Sequence, residues 1–191
     1  MPAGNVGELI AYARQNPGKL NYGSAGIGTP QHLGAGLFEM LAVVKMTHVP
    51  YKGSAAAIAD LLSGQLQVWF GPVTKALIGY REAGRIRFLA SAQAGRLQSL
   101  PDLPTVVEAG LAGYSMNVWL GIAMPAGTPV AIINKVSADL QKVMQEPSMS
   151  DKYAAQGQET AWSTPDELAK LIESDRLRWE KVVRAAGIKS E

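Results

Sequence analysis

The sequence predicts an α/β fold: a Rossmann-like parallel sheet covered by helices, followed by a helical C-terminal segment. Three observations carry this. Short strand-like runs alternate with stretches whose apolar residues recur every three or four positions. Glycine and proline punctuate the junctions, as at Asn16-Pro17-Gly18 and Gly71-Pro72. Past Ala123 the strand signals cease and helical periodicity takes over.

Glu8 to Gln15 carries Leu9, Ile10 and Ala13 and reads as a helix stopped by Asn16-Pro17-Gly18. Leu20 to Tyr22 is a short strand running into the loop Gly23-Ser24-Ala25-Gly26-Ile27-Gly28. Thr29 fits a helix N-cap with Pro30 at the first helical position, where the missing N–H costs nothing. Leu33, Leu37 and Leu41 form the buried stripe of that helix. A second strand spans Lys45 to Val49 and ends at Pro50-Tyr51-Lys52-Gly53. Ser54 is placed to cap the next helix, which buries Ile58, Leu61 and Leu62 and ends at Gly64. Gln67 to Phe70 is the third strand, and Gly71-Pro72 opens a helix ending near Gly84. Ile86 to Ser91 is the fourth strand. After a loop from Leu100 to Thr105 a short helix runs to Gly110, and Ser115 to Ala123 is a further strand. Thr128-Pro129 precedes a helix with the stripe Ile133, Val136, Leu140 and Val143. Thr164-Pro165-Asp166-Glu167 is a capping box opening a long helix that carries Leu168, Ile172, Trp179 and Val183. With little sheet of their own, the helices past Ala123 are expected to pack on something other than the preceding lobe.

Composition narrows the function classes. The 191 residues are 47% hydrophobic and 18% charged, enough for a core and unlike a disordered chain. The absence of Cys removes disulfides, thiolate metal sites and cysteine nucleophiles together. A net charge of +2 spread over scattered residues such as Arg81, Arg85, Arg87 and Arg96 gives no support to nucleic-acid binding. The uncharged stretch Leu111 to Asn134 is too interrupted by glycine, proline and polar residues to span a membrane. Met1-Pro2-Ala3-Gly4 lacks a basic stretch before an apolar run, so no signal peptide is expected.

The Gly23 to Thr29 loop resembles three named motifs and matches none. Thr29 stands where a Walker A loop has lysine, Gln31 replaces the third glycine of a dinucleotide fingerprint, and Tyr22 occupies the first glycine of a nucleophile elbow. What remains is general physics. Glycines let the backbone approach a ligand, and a helix start offers free N–H groups and the positive end of its dipole. Ser24 and Thr29 add hydroxyls, a set suited to a carboxylate; an ordinary strand-to-helix turn is the competing reading. Lys52 lies at the next strand-to-helix junction, the edge where ligands bind in open parallel sheets, and Phe70-Gly71-Pro72 offers a wall there. His32 sits in the first turn of the Thr29 helix and reads as a binding-edge residue, whereas His48 reads as structural. Neither has partners at metal-ligand spacing. No carboxylate pair is arranged for acid–base work, Asp60 being placed away from the edge, and catalysis is not expected. Trp119, Trp162 and Trp179 are expected to be core or lobe-packing residues, with Met40, Met46 and Met144 as core fillers.

Taken in order, Asn16-Pro17-Gly18-Lys19-Leu20-Asn21-Tyr22-Gly23-Ser24, Gly26-Ile27-Gly28-Thr29-Pro30-Gln31-His32-Leu33 and His48-Val49-Pro50-Tyr51-Lys52-Gly53-Ser54 closely resemble the substrate-binding proteins of tripartite tricarboxylate transporters, the Bordetella uptake gene family. Asp60 to Gln65, Leu103-Pro104-Thr105-Val106 with Glu108-Ala109-Gly110, and Pro125 to Pro129 extend the match over almost the whole chain. The resemblance implies a periplasmic protein of the type II-like binding fold that clamps a small carboxylate between two lobes and delivers it to the membrane components of a tripartite carrier, without cofactor or metal. It implies a middle, second lobe in residues 1–114. Residues 115–191 would be a crossover strand and the C-terminal helices of a first lobe whose N-terminal half and glycine-rich loop are absent. It places the ligand loop on Ser24, Gly26, Gly28, Thr29 and His32, and a second junction on Tyr51, Lys52 and Gly53. The family's acidic or amide residue after the Phe70 position is Gly71 here. A lone lobe also fits a non-transport sensor or protein-interaction domain. Self-association through the C-terminal helix is expected if its apolar stripe has no bed.

Overall fold

The computed structural model describes residues 3–154 and 158–188. The chain runs α1 (Val6–Gln15), β1 (Asn21–Ser24), α2 (Pro30–Ala42), β2 (Thr47–Pro50), α3 (Ser54–Ser63), β3 (Val68–Trp69), α4 (Lys75–Glu82), α5 (Val130–Met144), α6 (Pro147–Ala154) and α7 (Pro165–Ala186). The strands form one parallel sheet in the order β2-β1-β3. β1 is central, and consecutive parallel strands joined through helices are what the alternating pattern predicts.

Tyr22 and Leu20, around β1, and Phe38 and Ala35, from α2, anchor the core, joined by Val6, Leu9 and Ala13 of α1. The Phe38 ring meets Phe70 at 5.4 Å and Tyr114 at 6.1 Å, tying the end of β3 and the chain after residue 110 to α2. Phe70 therefore faces the core, against Phe38 and Tyr22, instead of walling the ligand edge. Trp179 packs against the core, whereas Trp162 and Met40, expected to be packed, are exposed. Gly71 is explained by packing: a Cβ there would fall 2.4 Å from Trp69 Nε1.

Several expected elements differ. Ile86 to Ser91 forms no ladder; Ser91 makes a single bridge to Thr105, its N–H donating to the Pro104 carbonyl and its carbonyl accepting from Val106 N–H. The hydrogen bonds that would add a fourth strand are spent on that turn. The expected helix before Gly110 stops as a turn, although Thr105 and Glu108 exchange the two bonds of a capping box. α4 begins at Lys75, capped by Thr74, and not at Gly71-Pro72. No strand forms over 115–123. Val118, Leu120 and Ile122 are 60%, 89% and 59% exposed, while Trp119 donates to Asp175 Oδ2 on α7. The alternation there is strand-like, but no neighbouring strand supplies partners.

The capping box of α7 is present as read, Thr164 with Glu167. Its last turns lie on α2: a Cβ at Gly36 would be 3.2 Å from the Ala186 methyl, and Val182 is buried in the core. The C-terminal end of α7 thus has a bed on α2, within residues 1–114, contrary to the expectation that it packs on something other than the preceding lobe. Its earlier turns, with Leu171, Ile172 and Leu177, remain exposed.

Candidate functional site

The loops after β1 and β2 leave the same edge of the sheet, the carboxyl end, and are joined where Tyr51 N–H donates to the Ser24 carbonyl at 3.0 Å. Each feeds a helix whose N-terminus has no side-chain cap, α2 at Thr29 and α3 at Gly53. α1, α4 and α7 are capped by Asn5, Thr74 and Thr164, while α5, which follows Pro129, has no side-chain cap either. Unsatisfied N–H groups and two positive dipole ends are gathered on one edge, an arrangement that favours a small anion.

Thr29 occupies the N-cap position as expected, but its hydroxyl does not cap. It donates to the Gly26 carbonyl at 2.6 Å, which leaves the first-turn amides of α2 open. Ser54 likewise does not cap α3; it is the first helical residue and Gly53 is the N-cap. Glycine is required in these loops, because Gly26, Gly28 and Gly53 have φ of +142°, +74° and +125°.

Ser24 is fully buried. Its Oγ donates to the Gly26 carbonyl at 2.9 Å, accepts from Gly26 N–H at 3.2 Å, and lies 2.7 Å from His48 Nε2. Its role is therefore to shape the loop. His32 is buried rather than lining an open edge, and its Nδ1 accepts from Gly28 N–H at 3.2 Å. Tyr51 donates its hydroxyl to Asp60 Oδ2 at 2.6 Å; that bond, then burial and the Asp60 charge, push the phenol up to about 12. Lys52 is exposed beside Tyr51 and Gly53.

Two residues read as remote or structural belong here. His48 stacks on His32 with ring centroids 3.7 Å apart and on Tyr22 at 5.0 Å. The signal lies in register: Tyr22 pairs with His48 across β1 and β2, so both project to one face. Asp60, on α3, holds Tyr51. Gln31 Oε1, on the first turn of α2, is buried without a hydrogen-bond partner.

Burial and the adjoining His32 push His48 down to about 4, and burial alone lowers His32. In the unfolded chain His48 titrates near 6.5, so below that pH the unfolded state binds the proton first. The stability this group contributes is complete above pH 6.5 and is lost as pH falls toward 4. We expect the urea midpoint to fall over that window more steeply in the parent than in His48→Gln, and parallel slopes would contradict the assignment.

Among the described residues no cluster of His, Asp or Glu is arranged to hold a metal, and no helix is long and apolar enough to cross a membrane. A separate cavity of about 440 Å³, lined by Arg14, Pro17, Glu39, Val43 and Lys45 among others, lies at the amino end of the strands, away from these loops. Arg14 there is engaged with the Ala42 carbonyl and Glu39 with Met46 N–H.

Comparison with known proteins shows the family. The family model described as "Tripartite tricarboxylate transporter family receptor" matches residues 1–188. The UPF0065 protein in the tcbD-tcbE intergenic region of a Pseudomonas species is 36% identical over 180 residues, covering 94% of this chain and 53% of that protein. A Rhodopseudomonas palustris protein solved with adipate superposes with a TM-score of 0.85 at 36% identity, over 98% of this chain and 62% of the other. MatC from the same organism, solved with bound malate, gives 0.77 at 27% identity, over 95% and 63%. The chain spans about half the length of the curated relatives it matches. The family model over almost the whole chain, with relatives and solved structures at this level of identity, places this chain in the tripartite tricarboxylate transporter receptor family.

Proposed function

We propose that this chain is the ligand-loop part of an extracytoplasmic solute-binding protein that captures a small carboxylate for a tripartite carrier in the periplasm. The observation that carries the reading is the pair of uncapped helix N-termini at the carboxyl ends of β1 and β2. One carboxylate accepts from the backbone N–H groups of Ile27, Gln31 and His32, and Lys52 adds positive charge at the neighbouring junction. The partners are the carboxylate and the carrier's membrane components; catalysis has no machinery in this arrangement. Adipate and malate, each bound by a solved relative, are the first ligands to try.

Residues 1–114 act as one lobe, and 115–191, apart from the end of α7 that rests on α2, belong to the other side of the clamp. In support, Leu120 is 89% exposed and α5 buries none of its residues, so a large apolar face is left for the remaining part of the relatives' length. Without it, copies of the chain are expected to associate through that face and the early turns of α7. Light scattering should show dimers or larger species that Leu120→Lys reduces; a monomer at high concentration would contradict this. A thermal-shift screen over carboxylic acids, on this chain and on a version carrying the rest of a relative's length, tests the function. Stabilisation of the longer form by a dicarboxylate, and not by a matched amine, supports the reading. No response to any carboxylate overturns it.

A further inference from the structure

Both positive-φ glycines of the β1–α2 loop are tied to the same pair of rings. The hydrogen bonds run from Gly28 N–H to His32 Nδ1 and from Gly26, through Ser24 Oγ, to His48 Nε2. The two imidazoles stack at 3.7 Å with 20° between their planes. We infer that His32 and His48 are positioning residues that clasp the β1–α2 loop, the tie to Gly28 holding only while His32 is neutral, which makes the loop's shape a function of pH.

The bonding pattern dictates the chemistry. An imidazole nitrogen that accepts from Gly28 N–H carries no proton, so neutral His32 is protonated at Nε2. Adding a proton at Nδ1 sets two donors against each other and breaks the tie to Gly28. The Ser24 hydroxyl donates to the Gly26 carbonyl, so its remaining lone pairs take Gly26 N–H and His48 Nε2–H. With Nε2–H donating to Ser24 Oγ, His48 keeps that bond in either protonation state, and its other nitrogen, Nδ1, is where an added proton goes. A proton there puts a charge directly against the His32 ring.

The carboxylate on the elements packed around the rings is Glu39 of α2, which acts on the Tyr22 phenol and accepts from Met46 N–H. β1 contributes Ser24 and the Tyr22 phenol, β2 contributes His48, α2 contributes His32, and the chain just past β3 contributes Phe70, edge-on to Tyr22. No carboxylate is hydrogen-bonded to either imidazole among these bonds. Burial favours the neutral form of both rings, in agreement with the geometry. Acid therefore releases Gly28 from His32, loosening the surface that the proposed function assigns to the carboxylate, while the Ser24–Gly26 turn keeps its bonds. The inference rests on that function only for the purpose of the loop, and its test uses no ligand.

The experiment is amide hydrogen exchange of the whole chain by NMR, corrected for intrinsic pH dependence, together with imidazole ¹⁵N shifts. In the parent, His32 should show a bare Nδ1 at pH 7.5. Gly28 protection should fall roughly threefold to tenfold between pH 7 and 5, the weight of one hydrogen bond. In His32→Asn, whose side-chain oxygen can take the place of Nδ1 but does not titrate, protection should remain high and flat with pH. In His32→Ala it should be low throughout. Protection in the parent that does not change with pH, a protonated His32 Nδ1 at pH 7.5, or the same pH response in His32→Asn would each overturn the clasp. The ¹⁵N measurement on the parent decides even if the alanine variant fails to fold. A failed carboxylate screen with an intact pH response would overturn the function and leave the clasp standing.

Discussion

Phe38→Ala is expected to lower unfolding stability by roughly 3–5 kcal/mol, the usual cost of truncating a buried phenylalanine. The ring is 2% exposed and bridges three parts of the fold: α2, on which it sits, Phe70 after β3, and Tyr114 ahead of the extended segment. Removing it opens a cavity that none of the three can fill alone, because Tyr114 is also fixed through its hydroxyl on the Gly34 carbonyl. With typical domain stabilities of about 5–15 kcal/mol, this one change consumes a large share. Urea unfolding followed by tryptophan fluorescence measures it. A loss below about 1 kcal/mol would mean that the core is not organised around α2 as described.

Gly26→Val is expected to leave the fold standing while lowering carboxylate affinity by roughly tenfold to a hundredfold, in the form that carries both sides of the clamp. Gly26 has φ of +142°, a conformation that a β-branched residue reaches only at a cost of about 1–3 kcal/mol. A Cβ there would meet only the Thr29 methyl and the Tyr51 carbonyl at 3.7 Å, so the penalty is conformational and not a clash in the core. The loop answers by moving, and both Ser24 bonds and the Thr29 bond to Gly26 go with it. Calorimetric titration with adipate or malate, beside a far-ultraviolet melt, separates binding from folding. Unchanged affinity in a folded variant would remove this loop from the site.

Local signals in the sequence proved legible where the partner is a few residues away. Thr164 and Glu167 exchange their capping bonds within a single turn, whereas of the expected α2 stripe only Leu37 is buried, Leu33 and Leu41 being half-buried beside Ala35 and Phe38. Pairing across distance was not legible. Ile86 to Ser91 has the composition of a strand, yet Ser91 bonds to the turn at 104–106, a choice made by tertiary packing. His48 looks like any strand histidine until the β1–β2 register sets it beside Tyr22 and under Ser24. Thr29 shows both sides of the problem. Thr-Pro correctly marks the start of α2, but the twisted loop brings the Gly26 carbonyl within reach, and that acceptor captures the hydroxyl in place of the helix amides. The glycines that mark the loop were visible, and so was the resemblance that assigns it a carboxylate. The stacked imidazoles beneath it were not.

The most direct test of the central claim is an amide chemical-shift titration of this chain with adipate, carried into the millimolar range because one side of a clamp binds weakly. The structure predicts saturable shifts at Gly26, Ile27, Gln31 and His32, with weaker ones at Gly53 to Ala55. Shifts confined to the Arg14 and Lys45 cavity, or none at the β1–α2 turn, would contradict it.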